Sequence, residues 1–383
     1  MENLRRYTYE SVLAEGSHCV IDFDKELCAK AYNLYPHIAE QVDNQFGYIN
    51  LNMLLTRDQM YAAIDKDINT YTGFKIARNA SSIVNNSFYI RNHMFSVDIC
   101  ILDEEGKEVD IPIEKLYLYT ECAYYSKKRT PSMVLFVDHS TSTGIFTRGG
   151  KINLVGGYTQ NEVKYALNMF LGRIESGIRK LYSKPSLMLT IKDTRLENYV
   201  VSSKIPYSKI DIYNTSKYLD TLGIPKIFVP EHCNLLNIRP FPTSVPSIHI
   251  RVFPTGGIVL AGCKSVYEIS ITVQFLIGVI EKFIVEKWPK VGTKEAAFIH
   301  WSNERETKTY KRELVKLKQM QKKRSQWELH KQIHMLENGL PSFDSKAWTY
   351  NIKPPIFFQS NTKQGKRTSR KRVHSPSSSS FSE

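Results

Sequence analysis

The chain has 383 residues, 42% apolar and 11% aromatic, which is enough for one large or two ordinary folded domains. No stretch approaches the ~18 apolar residues of a membrane-spanning helix, and the first residues lack the apolar core of a signal peptide, so we expect a soluble intracellular protein with no membrane partner. The net charge of +14 favours a polyanionic partner. However, 20 basic against 8 acidic residues after position 289 supply +12 of it, so the rest is nearly neutral.

The first 40 residues are predicted to form an N-terminal extension. Its helix is expected to start at Asp24, a typical N-cap residue, because apolar residues then recur at helical spacing through Leu27, Ala31, Leu34 and Ile38.

Residues 41–288 alternate strand-like and helix-like segments, and two stretches repeat the same pattern. Residues 147–174 and 254–280 each hold a Gly-Gly turn, an apolar strand ending at Gly156 or Gly262, and an amphipathic helix. Upstream, Asp43 to Phe46 and Glu197 to Val200 each begin a predicted strand. The sequence thus predicts an α+β fold of two repeats, 41–180 and 190–289, which pair into one curved antiparallel sheet with helices on its convex face.

The two predicted repeats differ in spacing. Asn44 lies 112 positions before Gly156, whereas Asn198 lies 64 before Gly262, so a net insertion of 112 − 64 = 48 residues is expected in the first repeat. We place it near residues 97–130, where a hairpin is predicted around Gly106. The Gly-Gly turn of the first repeat is also expected to be one residue longer.

The C-terminal quarter is basic. Residues 290–358 are predicted as a helical extension, whose stripe of Leu314, Leu317, Gln321 and Arg324 is too polar for a coiled coil. It either contacts phosphates or a polymerase-associated factor, or is a solvated helix. Residues 359–383 form a disordered, Ser-rich tail whose basic cluster either serves nuclear import or DNA tethering, or is merely solubilising.

No catalytic, metal or cofactor pattern is present in the sequence. The six cysteines are scattered without zinc spacing, and the glycine-rich segments lack the Lys-Ser/Thr ending of a phosphate-binding loop. The acidic groups and the His-Ser and His-Cys neighbours have no partner that would orient them for catalysis. We therefore expect no enzyme, no cofactor and no metal.

The second repeat resembles the TATA-box-binding protein family. The segment FPTGGIVLAGCKS places Phe253, Gly256, Gly262 and Lys264 at the matching positions, with Cys263 in place of an alanine. The segments VPEHCNLLNIR and ENYVVSSKIPYSKI are similar to the strands that precede it. The divergent first repeat and the long flanks resemble the versions that large DNA viruses encode. The resemblance implies a saddle whose concave sheet binds and bends AT-rich DNA through the minor groove.

The resemblance also implies DNA-contacting residues. Asn44 and Asn198 match the family's paired asparagines, although a strand-edge or capping role is the alternative. Neighbouring positions expected to face DNA are Phe46, Val200, Asn153, Val155, Val259 and Ala261.

Wedging aromatic residues are a second implication of the resemblance. Phe253 matches one wedge, with an ordinary core aromatic as the alternative. The second wedge position of that repeat falls at Cys233, which is too small to unstack a base pair. Phe88 and Phe146 are the candidates in the first repeat, and Phe146 is out of register by one residue.

The implied function is a non-enzymatic transcription initiation factor. Its partners would be double-stranded AT-rich DNA and RNA polymerase or general transcription factors, with the protein a monomer on DNA. It would act in the host nucleus or a cytoplasmic viral factory, and could be packaged in the virion. The alternatives are an interaction module of the same fold that has lost specific DNA binding, and a substrate-positioning domain of an enzyme.

Overall fold

The computed structural model describes residues 25–76, 88–126, 130–137, 140–157, 159–229, 234–286 and isolated positions between 297 and 333. The helices are α1 Lys25–Leu34, α2 Pro36–Asn69, α3 Ile113–Tyr119, α4 Gln160–Tyr182, α5 Ile212–Leu222 and α6 Val266–Ile280. The strands are β1 Phe88–Leu102, β2 Ala123–Ser126, β3 Thr130–Phe136, β4 Thr143–Thr147, β5 Lys151–Gly156, β6 Met188–Lys204, β7 Ser208–Ile210, β8 Lys226–Phe228, β9 Leu236–Ile238, β10 His249–Val252, β11 Gly257–Cys263 and β12 Ile284–Glu286.

The helix predicted to run through Ile38 is divided into α1, which ends at Leu34, and α2, which begins at Pro36; the predicted N-cap Asp24 lies outside the described residues. Pro36 lies in the first turn of α2, where a missing N–H costs nothing, and the helix continues for 34 residues. Ile38, Val42 and Phe46 recur every four residues and are buried on one side of it. The predicted strand beginning at Asp43 is therefore wrong, because this segment continues the helical pattern.

Ten strands form one antiparallel sheet in the order β2-β3-β4-β5-β1-β6-β11-β10-β9-β8. The long strands β1 and β6 pair with each other at its centre, with four strands on either side. The short strands β7 and β12 form a separate pair. The α+β class, with an antiparallel sheet and helices, is as the sequence predicted.

Strand pairings in the two halves of the sheet correspond at a constant spacing. Thr143 pairs with Val155 and His249 with Ala261, each partner lying 106 positions after its counterpart (249 − 143 and 261 − 155). The N–H of Ile99 donates to the Gly150 carbonyl (2.8 Å), and 106 positions later the N–H of Ile205 donates to that of Gly256 (2.9 Å).

The 48-residue insertion predicted near 97–130 is wrong. That range holds the end of β1, then α3 and β2, whose counterparts in the second half are the end of β6, then α5 and β8. The expected turn around Gly106 is present, where the N–H of Gly106 donates to the Asp103 carbonyl (3.0 Å).

All five helices from α2 to α6 pack on one face of the sheet. One core joins α3, α4 and the first half of α2 to the strands of the first half. A second core joins α5, α6 and the end of α2 to those of the second half. The N-caps of α4 and α6 also correspond, since the hydroxyls of Thr159 and Ser265 each accept from a backbone N–H three residues on, at Glu162 and Glu268.

The two predicted C-terminal segments lie largely or wholly outside the described residues. The described positions between 297 and 333 are all helical, but the predicted stripe of Leu314, Leu317, Gln321 and Arg324 and the tail 359–383 lie outside the described residues. The predicted boundary at residue 41 falls inside α2.

Candidate nucleic-acid interface

The face of the sheet away from the two cores, called here the distal face, is defined by strand register and burial. In β5 and β11 the core side chains are buried, whereas the alternate positions Asn153, Val155, Val259 and Ala261 are only partly buried. These four positions thus share the distal face, and their predicted contact with DNA stays a prediction. Ser96 pairs with Asn153 and Ser202 with Val259, which extends the face across β1 and β6.

Two asparagines on the central strands β1 and β6 each bond a glycine on the neighbouring strand, β5 or β11. The Gly262 N–H donates to Oδ1 of Asn198 (2.7 Å), and the Gly156 N–H donates to Oδ1 of Asn92 (2.6 Å). Each asparagine lies 64 residues before its glycine. Because the backbone N–H holds Oδ1, the orientation of each carboxamide is set. The Nδ2 of Asn198 also donates one N–H to Sδ of Met94 (3.7 Å), which leaves its second N–H as a donor.

The two glycines are required by geometry. Gly156 and Gly262 have φ of +109° and +89°, a region that side chains rarely tolerate. A Cβ on Gly262 would overlap the Ser247 carbonyl, and one on Gly156 would lie 2.6 Å from the Thr141 carbonyl oxygen. Each glycine thus lets its strand approach the neighbouring carbonyl closely, and its N–H can then bond the asparagine.

The position that the sequence assigned to Asn44 belongs to Asn92. Asn44 is an exposed residue of helix α2, so it does not lie on the sheet. Asn92 lies on β1, paired with Val200 of β6, while Asn198 pairs with Met94. The equal 64-residue spacing to the following glycine is the sequence signal that would have identified it.

Three phenylalanines predicted to contact DNA are core residues instead. Phe46 on α2 is fully buried, 5.1 Å from Phe95 between ring centroids. Phe146 on β4 is also fully buried. Phe88 is 1% exposed in the second core, because the register shift between Ile90 and Asn92 turns the start of β1 toward the helices.

Phe253 is half-buried directly after β10, and a Cβ on distal-face Gly257 would lie 3.6 Å from its ring. Its counterpart is Thr147. The Gly256 N–H donates to the Phe253 carbonyl (3.0 Å) as the Gly150 N–H donates to that of Thr147 (3.1 Å). The two turns are equally long, so the longer turn predicted for the first repeat is wrong.

Cys233, the second wedge position of the second repeat, lies outside the described residues.

The two halves of the distal face carry different charges. In the first half Asp98 pairs with Asp193 across β1 and β6, Arg195 contacts both carboxylates (2.6 and 2.9 Å), and Lys151 pairs with Asp98 from β5, so these four charges cancel. In the second half Arg251 projects from β10 and is exposed. Burial, then Arg239 and Arg251, lower the pKa of His249, which indicates positive potential there.

Ser96 and Ser202 occupy equivalent positions on β1 and β6, 1% and 5% exposed. Neither hydroxyl has a hydrogen-bond partner within the part of the chain that the structure describes. A buried hydroxyl without a partner costs free energy, and this cost occurs at the same position in both halves.

The solved structure of Methanococcus jannaschii TBP is similar to this chain. The two sequences are 18% identical, the match covers 51% of this chain and 99% of that one, and the TM-score is 0.38. At this level the likeness supports no conclusion about function. No protein-family model and no curated protein matches the chain.

Two further features bear on the site. Among the described residues no helix combines the length and apolar content that crossing a membrane requires. The same residues hold no group of three or more His, Cys, Asp or Glu side chains that could bind a metal ion.

Proposed function

We propose that this chain is a tandem duplication that forms a DNA-binding saddle and acts as a non-enzymatic transcription initiation factor. Its distal face would bind AT-rich duplex DNA through the minor groove and bend it. The observation that carries the proposal is the pair of asparagines, Asn92 and Asn198, held in the same way by Gly156 and Gly262 on the two central strands.

The chemistry of these asparagines suits the minor groove of AT base pairs. That groove presents only acceptors, adenine N3 and thymine O2, and the carboxamide of each asparagine can turn an Nδ2–H donor toward them, the second N–H in the case of Asn198, whose first bonds Met94. The neighbouring Val155, Val259 and Ala261 have no group that could accept from a guanine amino group. A GC pair over these three side chains would leave that amino group unpaired, so AT pairs are preferred there.

Bending would come from the second half of the face. Phe253 lies beside Gly257 on the distal face and is large enough to wedge between base steps. Arg251 and Arg239 are exposed nearby and can contact phosphates. Thr147 replaces the aromatic residue in the first half, so we expect one strong kink and one weak one.

The experiment is energy transfer across an AT-rich duplex labelled at both ends. Binding with bending shortens the end-to-end distance at saturating protein, and a GC-rich duplex of equal length serves as control. If saturation is reached while the distance stays that of free DNA, bending by this chain is ruled out.

The proposal extends to partners and setting. A bent promoter with a monomer of this protein on it would recruit RNA polymerase or general transcription factors to the helix-covered face. The chain would be a divergent family member of the kind that large DNA viruses encode, acting in a nucleus or a cytoplasmic viral factory.

A second function is favoured by the charges on the first half of the face, where Arg195 and Lys151 are matched by Asp98 and Asp193 and leave no excess positive charge for phosphates. The protein would then be an interaction module of a transcription complex without specific DNA binding. Deleting residues 290–383 distinguishes the two functions. If the truncated chain loses all affinity for duplex DNA, the basic C-terminal quarter holds DNA and the sheet does not.

A further inference from the structure

The C-terminal segment contacts the distal face in the first half of the sheet. The ring of Trp327 stacks on Tyr124 of β2, with centroids 4.5 Å apart and planes 17° from parallel. It also lies 5.9 Å from the ring of Phe136 on β3. Four residues on, Lys331 is 3% exposed and its Nζ donates to the Thr120 carbonyl (2.7 Å). Residues spaced by four share one face of a helix, so this face is docked.

Strand register shows that both aromatic residues belong to the distal face. Tyr124 pairs with Val134, Val134 with Ile145, and Ile145 with Asn153. Phe136 pairs with Thr143, which pairs with Val155, which pairs with Met94 opposite Asn198. Trp327 therefore covers residues that are aligned across the strands with the proposed DNA contacts Asn153, Val155 and Asn198.

No residue that the structure describes covers the second half of the face in this way. Ile227 of β8 corresponds to Tyr124, since it pairs with Asn237 as Tyr124 pairs with Val134, and it is 55% exposed. Arg239, the counterpart of Phe136, is also exposed. The aromatic platform occurs in the half that Trp327 covers, whereas the half that carries Phe253 is open.

We infer that the segment around Trp327 and Lys331 competes with DNA for the first half of the distal face. This inference rests on the proposed function. DNA engages the open second half first, and full contact with the first half requires Trp327 to leave Tyr124 and Phe136. Strand β3 lies two strands, about 10 Å, from β5. A duplex whose two grooves together span roughly 18 Å, centred on Val155, extends roughly 9 Å to each side, so its edge meets the Trp327 ring that stands beside Phe136.

The test compares Trp327→Ala with Leu329→Ala in the full-length chain. Leu329 lies two residues away and is 59% exposed, and neither change alters the charge. Anisotropy of a labelled AT-rich duplex measures affinity. Trp327→Ala is expected to bind about tenfold more tightly than the wild type, because one stacked aromatic contact no longer opposes DNA. Leu329→Ala is expected to bind like the wild type.

A peptide in trans provides a second measurement that does not depend on the stability of the variant. A synthetic peptide of residues 319–333, added to the Trp327→Ala protein, is expected to weaken duplex binding again. The same peptide with alanine at position 327 has equal charge and is expected to have no effect.

Each result decides the question. Wild-type affinity in Trp327→Ala would overturn the competition and leave the proposed function standing, since the duplex is still bound. Weaker binding in that variant would also overturn it, because Trp327 would then be part of the DNA contact. Binding of the duplex by none of the proteins would instead overturn the proposed function, and the competition with it.

Discussion

His93 and Tyr199 pair across the two central strands, with ring centroids 5.0 Å apart at 76°. They lie 106 positions apart, the spacing that relates the two halves, so this pair marks the centre of the sheet. The Nδ1–H of His93 donates to the Gly157 carbonyl (2.9 Å), which makes Gly157 part of the same central contact. A neutral imidazole satisfies this site without charge.

Stability should fall in mild acid because of His93. Burial lowers its pKa to about 4, below the ordinary value of 6.5. Between these values the unfolded chain binds a proton that the folded chain does not, so stability is full above about pH 6.5 and falls as pH drops to 4, by an amount on the order of 3 kcal/mol. Urea unfolding at pH 5 and 7 measures the difference, and His93→Gln is expected to reduce it. An equal pH dependence in the variant would contradict this assignment.

Asn198→Asp isolates the proposed DNA contact from the fold. An aspartate oxygen still accepts from the Gly262 N–H, but the Nδ2–H donors are lost and a negative charge faces the groove acceptors. We expect the affinity for an AT-rich duplex to fall about 10- to 100-fold, and Asn92→Asp should behave alike. Asn44→Asp on the exposed side of α2 adds the same charge and is expected to change affinity by no more than about twofold. Equal losses in all three variants would mean that charge alone is responsible.

Substituting Phe146 and Phe253 should distinguish an effect on stability from an effect on DNA bending. Phe146→Ala removes a fully buried ring and is expected to cost about 3–5 kcal/mol of unfolding free energy. Phe253→Ala should leave the fold nearly as stable but reduce the DNA bend, because the wedge is lost. Thermal unfolding and energy transfer on the end-labelled duplex measure the two effects. An undiminished bend with Phe253→Ala would exclude the wedge.

Gly262→Ala tests the close approach of Gly262, which bonds Asn198, to the Ser247 carbonyl. The substitution forces a side chain into φ of +89° and against the Ser247 carbonyl, so we expect a loss of about 2–4 kcal/mol in unfolding free energy. Gly223→Ala is the matched control, since its φ is +74° but a Cβ there meets open space, and it should cost about 1 kcal/mol. Losses of equal size, measured by urea unfolding, would show that the positive φ alone causes the loss and that contact with the Ser247 carbonyl does not contribute.

Local sequence patterns were sufficient for the elements around the two glycine turns. The strands ending at Gly156 and Gly262 and the helices after them are where the Gly-Gly turns and the apolar spacing predicted them. These features depend on short-range physics, since a positive φ selects glycine and a helix requires a 3.6-residue period. The alternation along β5 and β11 likewise predicted which residues share the distal face.

Which asparagine of the first half is equivalent to Asn198 was decided by tertiary structure. A short motif at Asp43 to Phe46 resembles the start of a strand, but a strand exists only where another strand pairs with it, and here α2 instead buries Phe46 against Phe95. Phe146 and Thr147 differ by one position, and strand register alone determines which side chain enters the core. The contact of Trp327 with Tyr124 and Phe136 joins residues about 200 positions apart, which no local pattern specifies. The sequence thus determined the repeated elements and the distal face, whereas long-range pairing and packing decided which residues occupy that face and which cover it.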